Sequence, residues 1–276
     1  MSPAAPADAK PGAVRIVCMD GLQIWVINLD RAGDRLARVD VQLRHLARPY
    51  TRVTAVDALT LTPAQQGELD GAAYRRLHGM TPVAGELGCY LSHVGVMRAF
   101  LASPARFALV LEDDVIVKDS LPAVLRGLLA HRAHWDMVKL SAVHSGTPVA
   151  VLEVAPGHRL AVMLSRCTGS SAYLINRYAA QAYLRSPGGL LPMRLPYDHV
   201  FDQGWRFGLK VRLVTPTPCH HDNQIATTII SPAGVKRKFH WTRRLSAHAW
   251  RVRLEVRRFG YGLWHSLRER LGWRSI

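Results

Sequence analysis

The sequence predicts an α/β domain with a mostly parallel, mixed sheet flanked by helices, followed by a basic helical tail. Two observations predict it. Between Leu22 and Val214, apolar runs of strand length alternate with segments of helical spacing, the order expected of a β-α-β chain whose connections cover the sheet. The last 41 residues, from Lys236, hold twelve Lys and Arg against two acids. They therefore carry ten of the sixteen net positive charges, and the body is only mildly basic. The chain divides into a lead (1–20) rich in Ala and Pro without periodicity, a domain (21–235) and the tail (236–276). At 276 residues and 49% hydrophobic it can bury a sizeable core and is neither disordered nor fibrous.

Leu22 to Leu29 is a continuous apolar run bounded by Gly21 and a polar DRAGDR segment, which reads as a buried parallel strand. Leu36, Val39, Leu43 and Leu46 give Asp34–Leu46 helical spacing, and Tyr50–Val56 is a second strand. A polar stretch with Pro63 and Gly71 follows. Leu87, Leu91, Val94, Met97 and Leu101 mark an amphipathic helix over 85–101. A strand from Phe107, a helix over 121–131 with Pro122 in its first turn, and strands at 135–140, 160–164 and 170–175 follow. Then come helices at 177–184 and 201–207 and a short strand at 211–214.

Within this pattern Glu112-Asp113-Asp114 interrupts the strand from Phe107. Three adjacent acids ending an apolar run cost desolvation and mutual repulsion unless a cation or donor array neutralises them. Hard oxygen ligands suit Mg²⁺ or Mn²⁺. The bland alternative is a solvated acidic turn. In a strand, residues two apart share a face, so Glu112 and Asp114 can converge while Asp113 points away, a separation that loosens if the strand ends at Asp113. Ligands of α/β sheets sit beyond the carboxyl ends of strands, where both Asn28–Arg31 and Glu112–Asp114 fall.

Ile27-Asn28-Leu29-Asp30-Arg31, Ala55-Val56-Asp57-Ala58, Glu86-Leu87-Gly88-Cys89-Tyr90-Leu91-Ser92-His93 and Leu111-Glu112-Asp113-Asp114-Val115 resemble, in order and spacing, glycosyltransferase family 25. Trp135–Leu140, Thr168–Ile175 and Leu195-Pro196-Tyr197-Asp198 continue the resemblance, which covers about residues 22–232. It implies a GT-A-type nucleotide-sugar fold, a UDP-sugar donor (usually UDP-galactose), a divalent metal, Mn²⁺ or Mg²⁺, and inversion at the anomeric carbon. Galactosyl transfer to a lipid-linked glycan of lipopolysaccharide or lipooligosaccharide is the reaction expected. UDP-glucose, a UDP-N-acetylhexosamine or a non-catalytic glycan- or membrane-binding relative are the alternatives.

On this reading Asp114 is the metal ligand, with Glu112 beside it or facing the ribose. The fold's habit of drawing a late second ligand points to His220 or His221. Arg31 and Arg35 follow the first strand where uracil and diphosphate are expected, and their planar forks suit phosphate. Asn28 is a reader of the base edge, and Asp113 is grouped with the donor-binding residues. Lys139, within an apolar strand, is expected to meet phosphates or the carboxylates. Asp198 is the first candidate for the general base, with a helix N-cap as the alternative. Glu86 is its rival and His93 an acceptor-binding candidate, because Glu86, Cys89 and His93 share one helix face; a capping Glu and a buried His are the plain alternatives.

Fourteen large apolar residues between Phe239 and Trp273 interleave with the twelve basic ones. That composition suits an in-plane helix on an anionic membrane; nucleic-acid binding, or packing on the body or a second subunit, are the competing readings. Cys18, Cys89, Cys167 and Cys219 lack paired metal spacing and read as reduced thiols. The expected setting is cytoplasmic, peripheral on the inner face of the cytoplasmic membrane, with no nucleic-acid partner and a possible homodimer.

Overall fold

A computed structural model describes residues 19–46, 48–185, 187–222 and 238–271. Expectations for residues 1–18 of the lead, including Cys18, and for 236–237 and 272–276 of the tail lie outside the described residues.

The strands are β1 (Leu22–Asn28), β2 (Tyr50–Thr54), β3 (Phe107–Glu112), β4 (Val115–Val117), β5 (Met137–Lys139), β6 (Pro148–Ala155), β7 (His158–Met163), β8 (Ala172–Asn176), β9 (Val211–Thr215) and β10 (Cys219–His221). Eight of them form one sheet in the order β2-β1-β3-β8-β5-β9-β7-β6, and β10 pairs with β4 in a small ribbon. β1 runs parallel to β2 and β3, β5 runs parallel to β9, and β8 and β7 pair antiparallel with their neighbours. Six of the eight strands therefore point one way, and the mixed, mostly parallel sheet is present.

The helices are α1 (Gly33–Leu43), α2 (Pro63–Gly67), α3 (Gly71–His78), α4 (Ala84–Ala102), α5 (Leu121–Ala130), α6 (Arg177–Leu184), α7 (Tyr197–Phe201), α8 (Gly204–Phe207) and α9 (Leu245–Arg270). Strand alternation explains the layers. Ile24, Val26, Leu109 and Leu111 turn to the face that also buries Val39 of α1 and Leu125 and Leu128 of α5. Trp25, Ile27, Ala108 and Val110 turn to the other, where Tyr90, Val96 and Phe100 of α4 and Tyr183 of α6 pack. A fully buried aliphatic or aromatic side chain contributes roughly 1.5–3 kcal/mol, so both faces of β1 and β3 are stabilised heavily, and their carboxyl ends are held side by side.

One expectation for this region is corrected, and the polar stretch around Pro63 and Gly71, to which the sequence pattern assigns no element, is helical. Thr62 and Gln65 form a capping box ahead of α2, with Pro63 in its first turn, and Asp70 caps α3 by accepting from the Ala73 N–H. The T-P-x-Q and D-G starts carried that signal. Helix α4 is buried along most of its length rather than amphipathic, with Ser92 and His93 as buried as Val94 and Met97.

Of the three readings of the tail, packing on the body is what the structure displays for one face of α9. Ala247, Arg258, Gly262, His265 and Ser266 are its buried residues. Gly262 permits close approach, since a Cβ there would stand 2.5 Å from the Met163 carbonyl oxygen. Arg258 pairs with Asp202 at 2.9 Å, both side chains only 3% exposed, and Glu269 pairs with the buried Arg212 and with His134. No helix among the described residues is long and apolar enough to cross a membrane.

Candidate active site

The register of β1 against β3 builds the site. Ile27 lies opposite Glu112, so the next residues, Asn28, still paired with Thr54 of β2, and Asp113, just past the end of β3, come side by side. β3 ends at Glu112, and a two-residue turn of Asp113 and Asp114 leads into β4. The turn is clamped from both sides, by the Glu112 N–H donating to the Ser171 carbonyl and the Asp222 N–H donating to the Asp114 carbonyl, each at 2.8 Å. Above it opens a cleft lined by Arg31, Arg35, Glu112, Asp113 and Asp114, with the Ala55–Ala58 loop, Gly85, Cys89 and Ser92 of α4, and His221 completing the walls.

Each acid has a different environment. Glu112 Oε1 accepts the Tyr197 hydroxyl and lies 3.2 Å from His93 Nε2, whose Nδ1 meets the Tyr173 hydroxyl at 3.0 Å. Tyr197 stacks on the His93 ring at a 4.0 Å centroid separation. Burial pushes the Glu112 carboxyl up, but the hydrogen bond and charge of His93 and the Tyr197 hydroxyl outweigh it and leave the group below its ordinary range. Asp114 is the opposite case. Burial, then the charge of Glu112, push it up to about 7, against the weaker pull of His221 and Arg35. Its Oδ1 is buried without a hydrogen-bond partner, and its Oδ2 lies 3.4 Å from His221 Nδ1.

Asp113 does not point away, a correction that follows from the strand's ending one residue before it. Its Oδ2 accepts from Asn28 Nδ2 at 2.8 Å, and its Oδ1 lies 3.4 Å from Arg35 Nη1. Asn28 lines the cleft, yet its amide is engaged: Nδ2 also donates to the Ala32 carbonyl, and Oδ1 accepts from Arg52. It orients Asp113 and the β1 exit rather than offering a free edge to a base. Arg31 is half-exposed at the rim, where it ion-pairs with Asp57 at 2.8 Å; Asp57 in turn caps the following turn through the Leu59 N–H.

Four other expected site residues stand elsewhere. Glu86 accepts the Tyr74 hydroxyl and the Val83 N–H, the capping role, and does not line the cleft. His93 is 1% exposed and supports Glu112 from beneath. Lys139 is buried with Nζ on the Cys167 carbonyl at 2.6 Å, its charge facing Asp198 and Asp202. Asp198 accepts from the Gly169 and His199 N–H groups; it sits in the first turn of α7, whose N-cap is Pro196. Burial raises its carboxyl, but His199, Lys139 and those N–H donors outweigh it and hold the group below its ordinary range. Of the two late histidines, alternation along β10 separates them. His221 reaches Asp114, and His220 is absent from the cleft wall, its Nδ1 buried without a partner.

Tyr173 and Tyr197 were missed as site residues. Tyr197 adjoins Asp198 in the Pro196-Tyr197-Asp198 block, and Tyr173 reads as core within its strand; a polar handle inside an apolar strand was the available signal. Cys89, His93 and Glu112 offer ligand atoms within 4.8 Å of one another. Both nitrogens of His93 are already engaged, however, and burial together with nearby carboxylates pushes the Cys89 thiol far up, so the trio reads as a support for Glu112.

Gly88 sets the wall opposite the acids. A Cβ there would stand 2.6 Å from the Val56 carbonyl oxygen, and Ser92 Oγ accepts the Val56 N–H at 2.8 Å while donating to the Gly88 carbonyl. Gly88→Ala is expected to push out the 55–58 loop, costing about 1–3 kcal/mol as overpacking does. Thermal melts check this; an unchanged midpoint contradicts the wall's role.

The model of glycosyltransferase family 25, described as an LPS biosynthesis protein family, matches residues 22–200. Procollagen galactosyltransferase 1-A of Xenopus laevis is 28% identical over 184 residues, 64% of this chain and 30% of the relative. Procollagen galactosyltransferase 1 of Danio rerio is 26% identical over 187 residues, again 64% of this chain and 30% of the relative. The inactive glycosyltransferase 25 family member 3 of Mus musculus is 30% identical over 126 residues, 43% of this chain and 21% of the relative. The chain thus spans under a third of these relatives' length. The matched segment runs from β1 through α7 and contains the whole acidic turn with its Asn28, Arg35, His93 and Tyr197 partners. The chain belongs to glycosyltransferase family 25.

Proposed function

We propose that this chain is an inverting galactosyltransferase of the GT-A type that uses UDP-galactose and a divalent cation, Mn²⁺ or Mg²⁺, to extend a lipid-linked glycan acceptor. The observation that carries the reading is the unneutralised acid at the carboxyl ends of parallel β1 and β3: Asp114, with one oxygen orphaned and burial raising it to about 7. A buried carboxylate with an orphaned oxygen and burial outweighing its nearby cations is costly, and a bound cation would relieve that cost. Asp114 and His221, with Oδ2 and Nδ1 3.4 Å apart, would offer a carboxylate and an imidazole to such an ion, and Glu112 lines the same cleft. When bound, the ion would neutralise the diphosphate leaving group as a Lewis acid.

The chain's own residues supply the rest. Arg35, tethered to Asp113, and Arg31, tethered to Asp57, present guanidinium groups at the cleft for phosphate oxygens. His93 and Tyr197 hold Glu112 ionised and fixed, so that this carboxylate faces the cleft at no reorganisation cost. Galactose as the transferred sugar is supported by the procollagen galactosyltransferase relatives, and a lipopolysaccharide-type acceptor by the family's description.

A donor screen tests this reading. UDP release is measured with UDP-galactose, UDP-glucose and UDP-N-acetylhexosamines, with Mn²⁺ or with a chelator. Metal-dependent release, fastest from UDP-galactose, is expected. Faster release from another donor would move the specificity, and no release from any donor would leave the chain with its relatives of the inactive kind.

A further inference from the structure

Helix α9 is inverted relative to an ordinary surface helix. Its inner face carries polar and charged groups, with Arg258 and His265 buried and Glu269 mostly so. Its outer face is a stripe of large apolar side chains: Leu245, Val252, Val256, Phe259, Leu263 and Leu267 are each at least 43% exposed. Their spacings of seven, four, three, four and four place them on one line along the helix, Trp241 and Leu271 extend it at the ends, and Trp264 lies beside it. A contiguous apolar surface of this length marks an interaction face rather than ordinary scatter.

Charge decides what covers it. The two acids of the tail, Glu255 and Glu269, are spent on intramolecular pairs, with Arg258 at 2.6 Å and with Arg212 and His134. Arg253, Arg257 and Arg270 are exposed on the helix that carries the stripe. Two copies meeting through this face would set arginine against arginine, with the half-exposed Glu255 already paired to Arg258, whereas a negatively charged lipid surface complements both the apolar stripe and its basic margin. A 26-residue helix is about 39 Å long at 1.5 Å per residue, enough to lie in the plane of the headgroups as a bar fixed rigidly to the body by Arg258 and Glu269. We infer that the outer face of α9 docks the enzyme on an anionic lipid surface. This inference is independent of the sugar-transfer reading.

The full chain is sedimented with vesicles of phosphatidylcholine alone and with about 30 mol% phosphatidylglycerol added, at about 0.15 M salt. Binding to the anionic vesicles only is expected. The triple variant V256E/F259E/L263E is expected to lose at least about tenfold in affinity, each acid opposing both burial and surface potential. Because these positions touch water in the free protein, its thermal midpoint should not fall. R253E/R257E, which changes no apolar residue, should remove the preference for phosphatidylglycerol and decides the matter if the triple variant fails to fold. Absence of binding, binding that survives both variants, or a dimer in solution that the triple variant splits would overturn the inference, the last assigning the stripe to a second copy.

Discussion

Asp114→Asn is expected to reduce UDP-galactose turnover on the order of 1,000-fold, about 4 kcal/mol of transition-state stabilisation, and at the same time to stabilise the metal-free protein above neutral pH. The second effect follows from the raised carboxyl. An acid near 3.8 in the unfolded chain and about 7 in the fold favours folding while protonated, and that contribution is lost as pH rises through the folded value. Asn keeps the neutral form at every pH. The variant should therefore be more stable than wild type by on the order of 3 kcal/mol at pH 8, with the gap closing towards pH 4. Added Mn²⁺ should raise the wild-type midpoint at pH 8 and leave the variant unmoved. Melting curves across pH, with and without the ion, check each part. A variant less stable than wild type at pH 8 would contradict the assignment of Asp114 as the unneutralised acid.

Arg258→Ala carries the largest expected loss of stability. The Arg258–Asp202 pair is 3% exposed on both sides, and burial pushes Asp202 up to about 6 despite Lys139 and Arg258. Such a pair adds little net stability over an apolar replacement, yet breaking it leaves a buried charge and costs about 3–5 kcal/mol. The loss should appear in denaturant unfolding, together with release of α9 from the body. Asp202→Asn combined with Arg258→Met should recover most of it, because no charge is then stranded. A single-variant loss below about 1 kcal/mol would contradict the pair's role as the anchor of α9.

How much of this was legible in the sequence depended on the distance over which each feature is decided. β1, β3, α4, α5 and α6 follow from local periodicity and were placed within a residue or two. The position of the acidic turn at a strand end was equally visible, because Glu112-Asp113-Asp114 stands against an apolar run. The role of Asp113 was not, since it depends on β3 ending one residue early and on Asn28 lying alongside in the register of a strand distant in sequence. Glu86 and Lys139 stand out by residue type and position and Asp198 by the family resemblance, and each satisfies backbone or buried partners that no spacing discloses. His220 and His221 were inseparable until β10 paired with β4 and sent their side chains to opposite faces. The inversion of α9 was hidden for the same reason: its composition announces both aromatics and arginines, but only the fold decides which face turns inward.

The most direct test of the central claim, that Asp114 and its neighbours hold a cation against a nucleotide diphosphate, is calorimetric titration of UDP into the full chain with Mn²⁺ and again with a chelator. The account predicts tight binding with Mn²⁺, a loss of at least about tenfold with the chelator, and no Mn²⁺ dependence in Asp114→Asn. Equal UDP affinity in both titrations of the wild type, or Mn²⁺ dependence that survives Asp114→Asn, would contradict it.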